Sequence, residues 1–259
     1  MLGTHNIFEV ASCFKSGDPN KIEEGKRIAK FLKELQPCLI LYPVDIQIKS
    51  ELKQLAEAQW AHSQLYLTDR DKEACEKEIE KLSNGIYDDR ACNFIAKKWE
   101  SKQGEVWELN DYVFRYKKLR DALKNIDFQI FLDTYPNFKE ELTGILVRKN
   151  VCIAAPTAAS KKILINKIVH KVLKNKNKCP VLMSSIRANL YTCYRGIQNY
   201  SSKNANAVSH DFWDDVVHII SSVSCDLFVT DDNKIASYFK NIRPHGHIES
   251  YDSFFCTMI

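Results

Sequence analysis

The stretch that decides the predicted fold runs from Ser209 to Ile235 and reads SHDFWDDVVHIISSVSCDLFVTDDNKI. Its first part, His210–Val223, has apolar residues at helical spacing and predicts an amphipathic helix. The run Cys225–Thr230 then predicts a strand, and an acidic turn leads from it into a second helix. This order is typical of an α/β crossover, in which ligands lie at the carboxyl end of the strand.

Two groups of aspartates flank this strand. Asp211, Asp214 and Asp215 lie at the start of the preceding helix, and Asp231 and Asp232 lie in the turn that follows. A hard cation such as Mg²⁺ or Mn²⁺ takes a few carboxylates and completes its shell with water and phosphate. The two groups therefore indicate a metal site. The alternative is that the same residues only cap helices and form a turn.

An earlier segment, CLILYPVDIQIKSELKQL at residues 38–55, predicts a buried strand, a proline turn and a helix that carries Glu51. The helix before it begins at Asp18-Pro19-Asn20. From Glu51 to about Lys124 the pattern is helical almost throughout, with breaks at residues 83–85 and 103–104. We therefore predict a single domain over residues 1–259, with a helical insertion over about residues 55–125.

The rest of the chain supplies further predicted elements. Short apolar runs predict strands at Phe128–Leu132 and Val151–Ala155. Helical spacing predicts helices at Thr157–Leu173 and Ser184–Tyr200, the first of which ends in a series of lysines. The predicted fold class is thus α/β, with a central and mostly parallel sheet flanked by helices.

The C-terminal stretch resembles the last motif of PIN and PIN-like domain nucleases. Thr230-Asp231-Asp232 fits the Thr-x-Asp element that follows a strand in this family. Asp215 with His218 fits the Asp-x-x-His form of the preceding helix, with Asp211 one turn earlier. Asp214 competes with Asp215 for the acidic position, because either one can be aligned without a gap.

The resemblance extends to residues 22–55, where Glu51 matches the inward-facing glutamate of the family. The family begins with a strand that ends in Asp-x-Asn, whereas this sequence begins with Met1-Leu2-Gly3. A truncated first strand, a misassigned start and a degenerate site are the open explanations. A second alignment starts the domain at Asp133 in IFLDTYP, but it leaves Glu51 without a counterpart.

The resemblance implies a site in which Glu51, Asp215 and Asp232 are catalytic and bind Mg²⁺ or Mn²⁺. Asp211 and Asp214 are the further expected metal ligands. The implied substrate is RNA. The residues expected to contact it are Thr230, Arg187, Arg195 and Lys171.

The composition of the sequence bears on the expected partner and on the expected compartment of the protein. The net charge of +4 is mildly basic and permits a polyanionic partner. The nine cysteines form no Cys-x-x-Cys pair, which indicates a reducing compartment, and we expect a cytoplasmic protein. The apolar runs are too short to cross a bilayer, and the first residues do not resemble a signal peptide.

The leading hypothesis is a metal-dependent endoribonuclease, for which a toxin or defence effector is a plausible role. The alternative is a catalytically degenerate PIN-like module that binds RNA or a protein. A homo-oligomer or a protein partner is left open. His245-Gly246-His247 resembles a ligand pair, but nothing near it in sequence completes a zinc site.

Overall fold

A computed structural model describes residues 2–34, 40–41, 44–55, 69–150, 157–201 and 207–257. Helices make up 81% of this part of the chain. The chain divides into two compact units, one formed by residues 1–47 and 64–104 and the other by residues 48–63 and 105–259.

The first unit is a small helical cluster with one short pair of strands. Its elements are β1 (Leu2–Gly3), α1 (Thr4–Lys15), α2 (Pro19–Glu34), β2 (Ile40–Leu41), α4 (Asp69–Ser83), the beginning of α3 (Val44–Leu55) and the first half of α5 (Asp89–Tyr116). β1 and β2 pair in parallel, with Leu2 opposite Ile40. The core consists of apolar residues from α1, α2 and α4, including Val10, Phe14, Ala29 and Leu82.

The second unit contains the end of α3 and the second half of α5, together with the later elements of the chain. These later elements are α6 (Arg120–Leu123), α7 (Phe128–Thr134), α8 (Pro136–Asn150), α9 (Ala158–Lys174), α10 (Pro180–Asn199), α11 (His210–Ser221), β3 (Leu227–Val229), α12 (Asn233–Ile242), β4 (His247–Glu249) and α13 (Tyr251–Thr257). β3 and β4 pair in parallel, and α12 connects them, so these three elements form a small β-α-β unit.

Helix α10 is the centre of the second unit. It begins with Pro180 at its first position, where a missing N–H costs nothing. Its side chains are buried on nearly all sides, including the fully buried Leu182, Ile186 and Ile197. Each such side chain contributes about 1.5–3 kcal/mol by leaving water. Helices α6, α7, α8, α11 and α12 pack around it.

Several local predictions are confirmed. α2 begins at Pro19, where the Asp18 carboxylate accepts a hydrogen bond from the Asn20 N–H at 2.9 Å. α9 begins after Thr157, which forms a capping box with Ser160. The predicted helix, strand, turn and helix of the C-terminal stretch correspond to α11, β3 and α12.

The predicted fold class is wrong. Instead of a central parallel sheet flanked by helices, the described residues form a mostly helical fold with two separate pairs of parallel strands. Each strand is only two or three residues long, so neither pair extends into a sheet that could organise a domain.

One reason is that an apolar run with the length of a strand is helical in the structure. Phe128–Leu132 lies in α7, because Asp127 caps it by accepting a hydrogen bond from the Ile130 N–H at 2.8 Å. Phe128 and Phe131 are three residues apart and are both buried, which is helical spacing. The predicted break at residues 103–104 is also absent, since α5 is continuous there. The strand predicted at Val151–Ala155 lies outside the described residues.

Packing around Gly196 gives a test of the second unit. A Cβ atom at Gly196 in α10 would lie 2.6 Å from Cγ2 of Val113 and 3.1 Å from Cγ2 of Val208. We expect Gly196→Ala to lower the free energy of unfolding by about 1–2 kcal/mol, because overpacking outweighs the gain in helix propensity.

Gly144→Ala in α8 is the matched control. Its Cβ atom would meet only an Arg148 nitrogen at 3.8 Å, so the variant should be about 0.5–1 kcal/mol more stable than wild type. Urea denaturation of both variants measures the difference. Equal shifts of the same sign would contradict the close packing at Gly196.

Candidate functional site

The turn after β3 is held by hydrogen bonds of its own polar residues. The Thr230 N–H donates to the carbonyl oxygen of Glu249 in β4 at 2.9 Å, and the Thr230 hydroxyl oxygen accepts from the Asp232 N–H at 3.1 Å. Asp232 caps α12 through Oδ1, which accepts from the N–H groups of Lys234 at 2.7 Å and Ile235 at 3.1 Å. Both bonds use the same oxygen, and the described residues donate no hydrogen bond to Oδ2 of Asp232.

The neighbouring Asp231 has a different role. Its Oδ1 accepts a hydrogen bond from the Tyr251 N–H at 2.9 Å, at the start of α13. Of the two adjacent aspartates, one therefore fixes α13 and the other is exposed at the first turn of α12.

The carboxylates of α11 are the second group of predicted metal ligands. Ser209 caps α11 by accepting from the Phe212 N–H at 3.2 Å, and Asp211 is exposed in the first turn. Asp214 and Asp215 are half-buried. Oδ2 of Asp215 lies 3.8 Å from Nζ of Lys234 in α12, so the two helices meet at this point.

Electrostatics link Asp215 to the turn. Burial raises the pKa of Asp215, and the charges of Asp232 and Asp214 raise this pKa further. Lys234 and His218 lower the pKa of Asp215. Asp214 and Asp232 are thus both close enough to Asp215 to act on its charge, near the carboxyl end of β3. A cation bound there would relieve their mutual repulsion.

Glu51 lies elsewhere in the same unit. Its side chain is 4% exposed, and its two oxygens accept hydrogen bonds from the N–H groups of Val181 and Leu182, both at 2.8 Å. Glu51 therefore caps α10 from α3. Its hydrogen bonds and electrostatic partners do not include Asp215 or Asp232. That Glu51 binds a metal stays a prediction.

The residues expected to contact substrate have separate environments. Arg187 donates from Nε to the carbonyl oxygen of Asn241 at 2.6 Å and stacks its guanidinium 5.2 Å from the centre of the Phe128 ring. Arg187 therefore joins α10 to α12 and α7 through these contacts, and burial lowers its pKa. Lys171 is exposed on α9. Thr230 belongs to the acidic turn, and Arg195 lies in a cleft.

This cleft has a volume of about 180 Å³ and lies among α10, α11 and α12. Its lining residues are Arg195, Asn199, Ala207, Ser209, Phe212, Lys234 and Tyr238. Lys234 belongs both to the cleft and to the contact with Asp215, so the cleft borders the acidic turn. We call this site the Arg195 cleft.

Apart from Arg195, sequence analysis did not identify these lining residues. The available signal was spacing, since Arg195 and Asn199 are four residues apart on α10 and Lys234 and Tyr238 are four apart on α12. Each pair therefore lies on one face of its helix. That the two faces meet depends on helix packing, which the spacing does not reveal.

The described residues show neither a larger cluster of metal ligands nor a membrane-spanning helix. The described residues contain no group of three or more His, Cys, Asp and Glu side chains arranged to hold a metal ion. His247 in β4 instead pairs with Glu249 at 3.2 Å. No helix in the described part of the chain has both the length and the apolar character needed to cross a bilayer.

Comparison with known protein families, curated proteins and solved structures gave no match.

The buried carboxylate of Glu51 predicts a dependence of stability on pH. Burial raises the pKa of Glu51 to about 7, although its two hydrogen bonds act in the opposite direction. Because this pKa is higher in the folded protein than in the unfolded chain, the stability that the group contributes is complete below its unfolded pKa. That contribution is lost as the pH rises through about 7.

We expect wild type to lose on the order of 2–3 kcal/mol relative to Glu51→Gln between about pH 5 and about pH 8. Denaturant titrations of both proteins across this range measure the difference. Parallel stability curves would contradict a buried carboxylate at the start of α10.

Proposed function

We propose that this protein is a metal-dependent endoribonuclease whose site lies at the carboxyl end of β3. The observation that carries the proposal is that Asp215 and Asp232, from different helices, share one electrostatic environment beside Lys234. The neighbouring Arg195 cleft adds cationic side chains on the side where a phosphate backbone would lie.

The donor atoms of this site fit a hard divalent cation. Asp232 uses only Oδ1 for its helix cap, and Asp215 is repelled by nearby carboxylates. Mg²⁺ is usually held by one or two carboxylates, together with water and substrate phosphate. Asp215 and Asp232 would hold Mg²⁺ or Mn²⁺, and Asp214 and Asp211 would add negative charge nearby.

Bound at this position, the metal would polarise the scissile phosphodiester and lower the pKa of a water ligand. The protein residues would position the substrate. Lys234 and Arg195 would hold phosphate oxygens, and Thr230 would keep Asp232 in place through the turn hydrogen bond. Glu51 would have to release the N–H groups of Val181 and Leu182 before it could join a metal, so the proposal assigns metal binding to the aspartates.

A cytoplasmic location is part of the proposal. Cys179 and Cys193 are buried thiols, and burial raises the pKa of Cys179 to about 11, so this residue stays in the unreactive thiol form. Such thiols are compatible with a reducing compartment in which RNA is available as substrate.

A second candidate is an RNA-binding module without catalytic activity. The observation that favours it is the engagement of both Glu51 oxygens by α10, which leaves the aspartates without this carboxylate. Calorimetric titration with Mn²⁺ separates the two candidates. The module would bind RNA without binding Mn²⁺, whereas the nuclease requires the metal.

The test of the nuclease is Asp232→Asn. Asparagine caps helices about as well as aspartate, so α12 should keep its start and the thermal stability should change little. The lost carboxylate should reduce Mn²⁺-dependent cleavage of single-stranded RNA at least about 100-fold, because the amide is a much weaker ligand for a hard cation.

Asp226→Asn is the matched control, because Asp226 is exposed at the opposite end of β3. We expect it to cleave RNA at the wild-type rate. If Asp232→Asn and Asp226→Asn cleave equally well, the site at the end of β3 is wrong. RNA binding that persists in all three proteins, with no cleavage and no Mn²⁺ binding, would favour the non-catalytic module.

A further inference from the structure

We infer that the Arg195 cleft binds the phosphate group of a nucleotide, with the attached sugar beside its aromatic wall and the base extending out of the cleft. The inference deepens the proposed nuclease function and rests on it for biological meaning, since it places a bound nucleotide next to the acidic turn. Binding itself needs no metal ion.

The charged side chains of the cleft favour the binding of an anion. Arg195 is half-buried, and no carboxylate of the described residues forms an ion pair with it. Lys234 has one carboxylate neighbour, Asp215, at 3.8 Å, which is a long contact for an ion pair. None of the described residues that line the cleft is acidic. Lys234 is therefore partly neutralised by Asp215, whereas Arg195 has no carboxylate partner among the described residues, so the cleft keeps an excess of positive charge.

The polar groups of the cleft are donors suited to phosphate oxygens. The Arg195 guanidinium has several N–H groups in a fixed plane, and the Lys234 ammonium adds others. The amide of Asn199 is exposed and offers two donors. The Ser209 hydroxyl accepts a hydrogen bond from the Phe212 N–H, so its own proton is available to a ligand. A phosphate is an acceptor at every oxygen, which matches this set.

The apolar side of the cleft distinguishes a nucleotide from a bare anion. Phe212 and Tyr238 meet edge to face, with ring centroids 4.9 Å apart, and Tyr191 packs behind Tyr238 at 5.7 Å. Aromatic rings beside cationic groups are the usual combination for holding nucleic acid without sequence preference. The volume of about 180 Å³ holds a phosphate and part of the attached sugar, so the base would extend out of the cleft.

The test is calorimetric titration of the intact protein with EDTA present throughout. The probes are adenosine monophosphate, adenosine and inorganic phosphate. We expect adenosine monophosphate to bind most tightly, inorganic phosphate to bind more weakly, and adenosine to show no measurable binding. Arg195→Gln and Lys234→Gln should each weaken binding of adenosine monophosphate at least about tenfold, because each removes a charge-assisted hydrogen bond.

Lys240→Gln is the matched control, since Lys240 is an exposed lysine on α12 that does not line the cleft. It should bind like wild type. Lys234→Gln changes an exposed side chain, so it stays informative if Arg195→Gln fails to fold. The inference is overturned if adenosine monophosphate does not bind wild type, if adenosine binds equally well, or if Lys234→Gln binds as tightly as Lys240→Gln.

The proposed metal site and the proposed nucleotide-binding cleft can be contradicted independently of each other. Loss of Mn²⁺-dependent cleavage in Asp232→Asn concerns the metal site, whereas titrations in EDTA concern only the cleft. A protein that binds adenosine monophosphate in EDTA but never cleaves RNA would keep the cleft and contradict the nuclease. Cleavage by a protein that does not bind the nucleotide would do the reverse.

Discussion

A buried helix start has to satisfy its backbone N–H groups, and the second unit meets this requirement with one carboxylate. The first N–H groups of α10 have no partner within the helix, and water does not reach them. Glu51 accepts from two of them, at Val181 and Leu182, across 130 and 131 residues of sequence. Burial raises the pKa of Glu51 to about 7, so the cap is sensitive to pH in the neutral range. The interaction is also central to the unit, because it fixes the start of α10.

The cap at the start of α10 also helps to position residues at the other end of this helix. α10 is buried for most of its length, so fixing its first turn also fixes the position of Arg195 and Asn199 in its last turns. Arg187 joins the middle of α10 to the carbonyl oxygen of Asn241 in α12. α12 carries Lys234 and begins at Asp232. The cap, the cleft and the acidic turn are therefore connected through two packed helices rather than through a sheet.

Local features of the sequence predicted the elements well where a single residue decides the outcome. Asp18, Thr157, Ser209 and Asp232 each cap a helix through their own side chain, and such caps act over three residues. The order helix, strand, turn and helix from Ser209 to Ile235 was predicted for the same reason. The grouping of Asp215 with Asp232 in one metal site stays a prediction.

Features that depend on long-range packing could not be predicted in this way. The partner of Glu51 lies on a helix whose burial is visible only after folding. The apolar run from Phe128 fits a strand and a helix equally well until the cap at Asp127 is taken into account. The predicted sheet required strands long enough to extend, and the described strands have two or three residues. The cleft forms where three helices meet. The spacing of residues along one helix does not reveal which other helices pack against it.

The most direct measurement is the position of Mn²⁺ in crystals of the protein soaked with this metal, located by its anomalous scattering. We expect a peak within about 2–2.5 Å of carboxylate oxygens of Asp215 and Asp232, with Glu51 still bonded to Val181 and Leu182. A metal held by Glu51 away from the end of β3, or no metal at the two aspartates at saturating Mn²⁺, would contradict the proposed site.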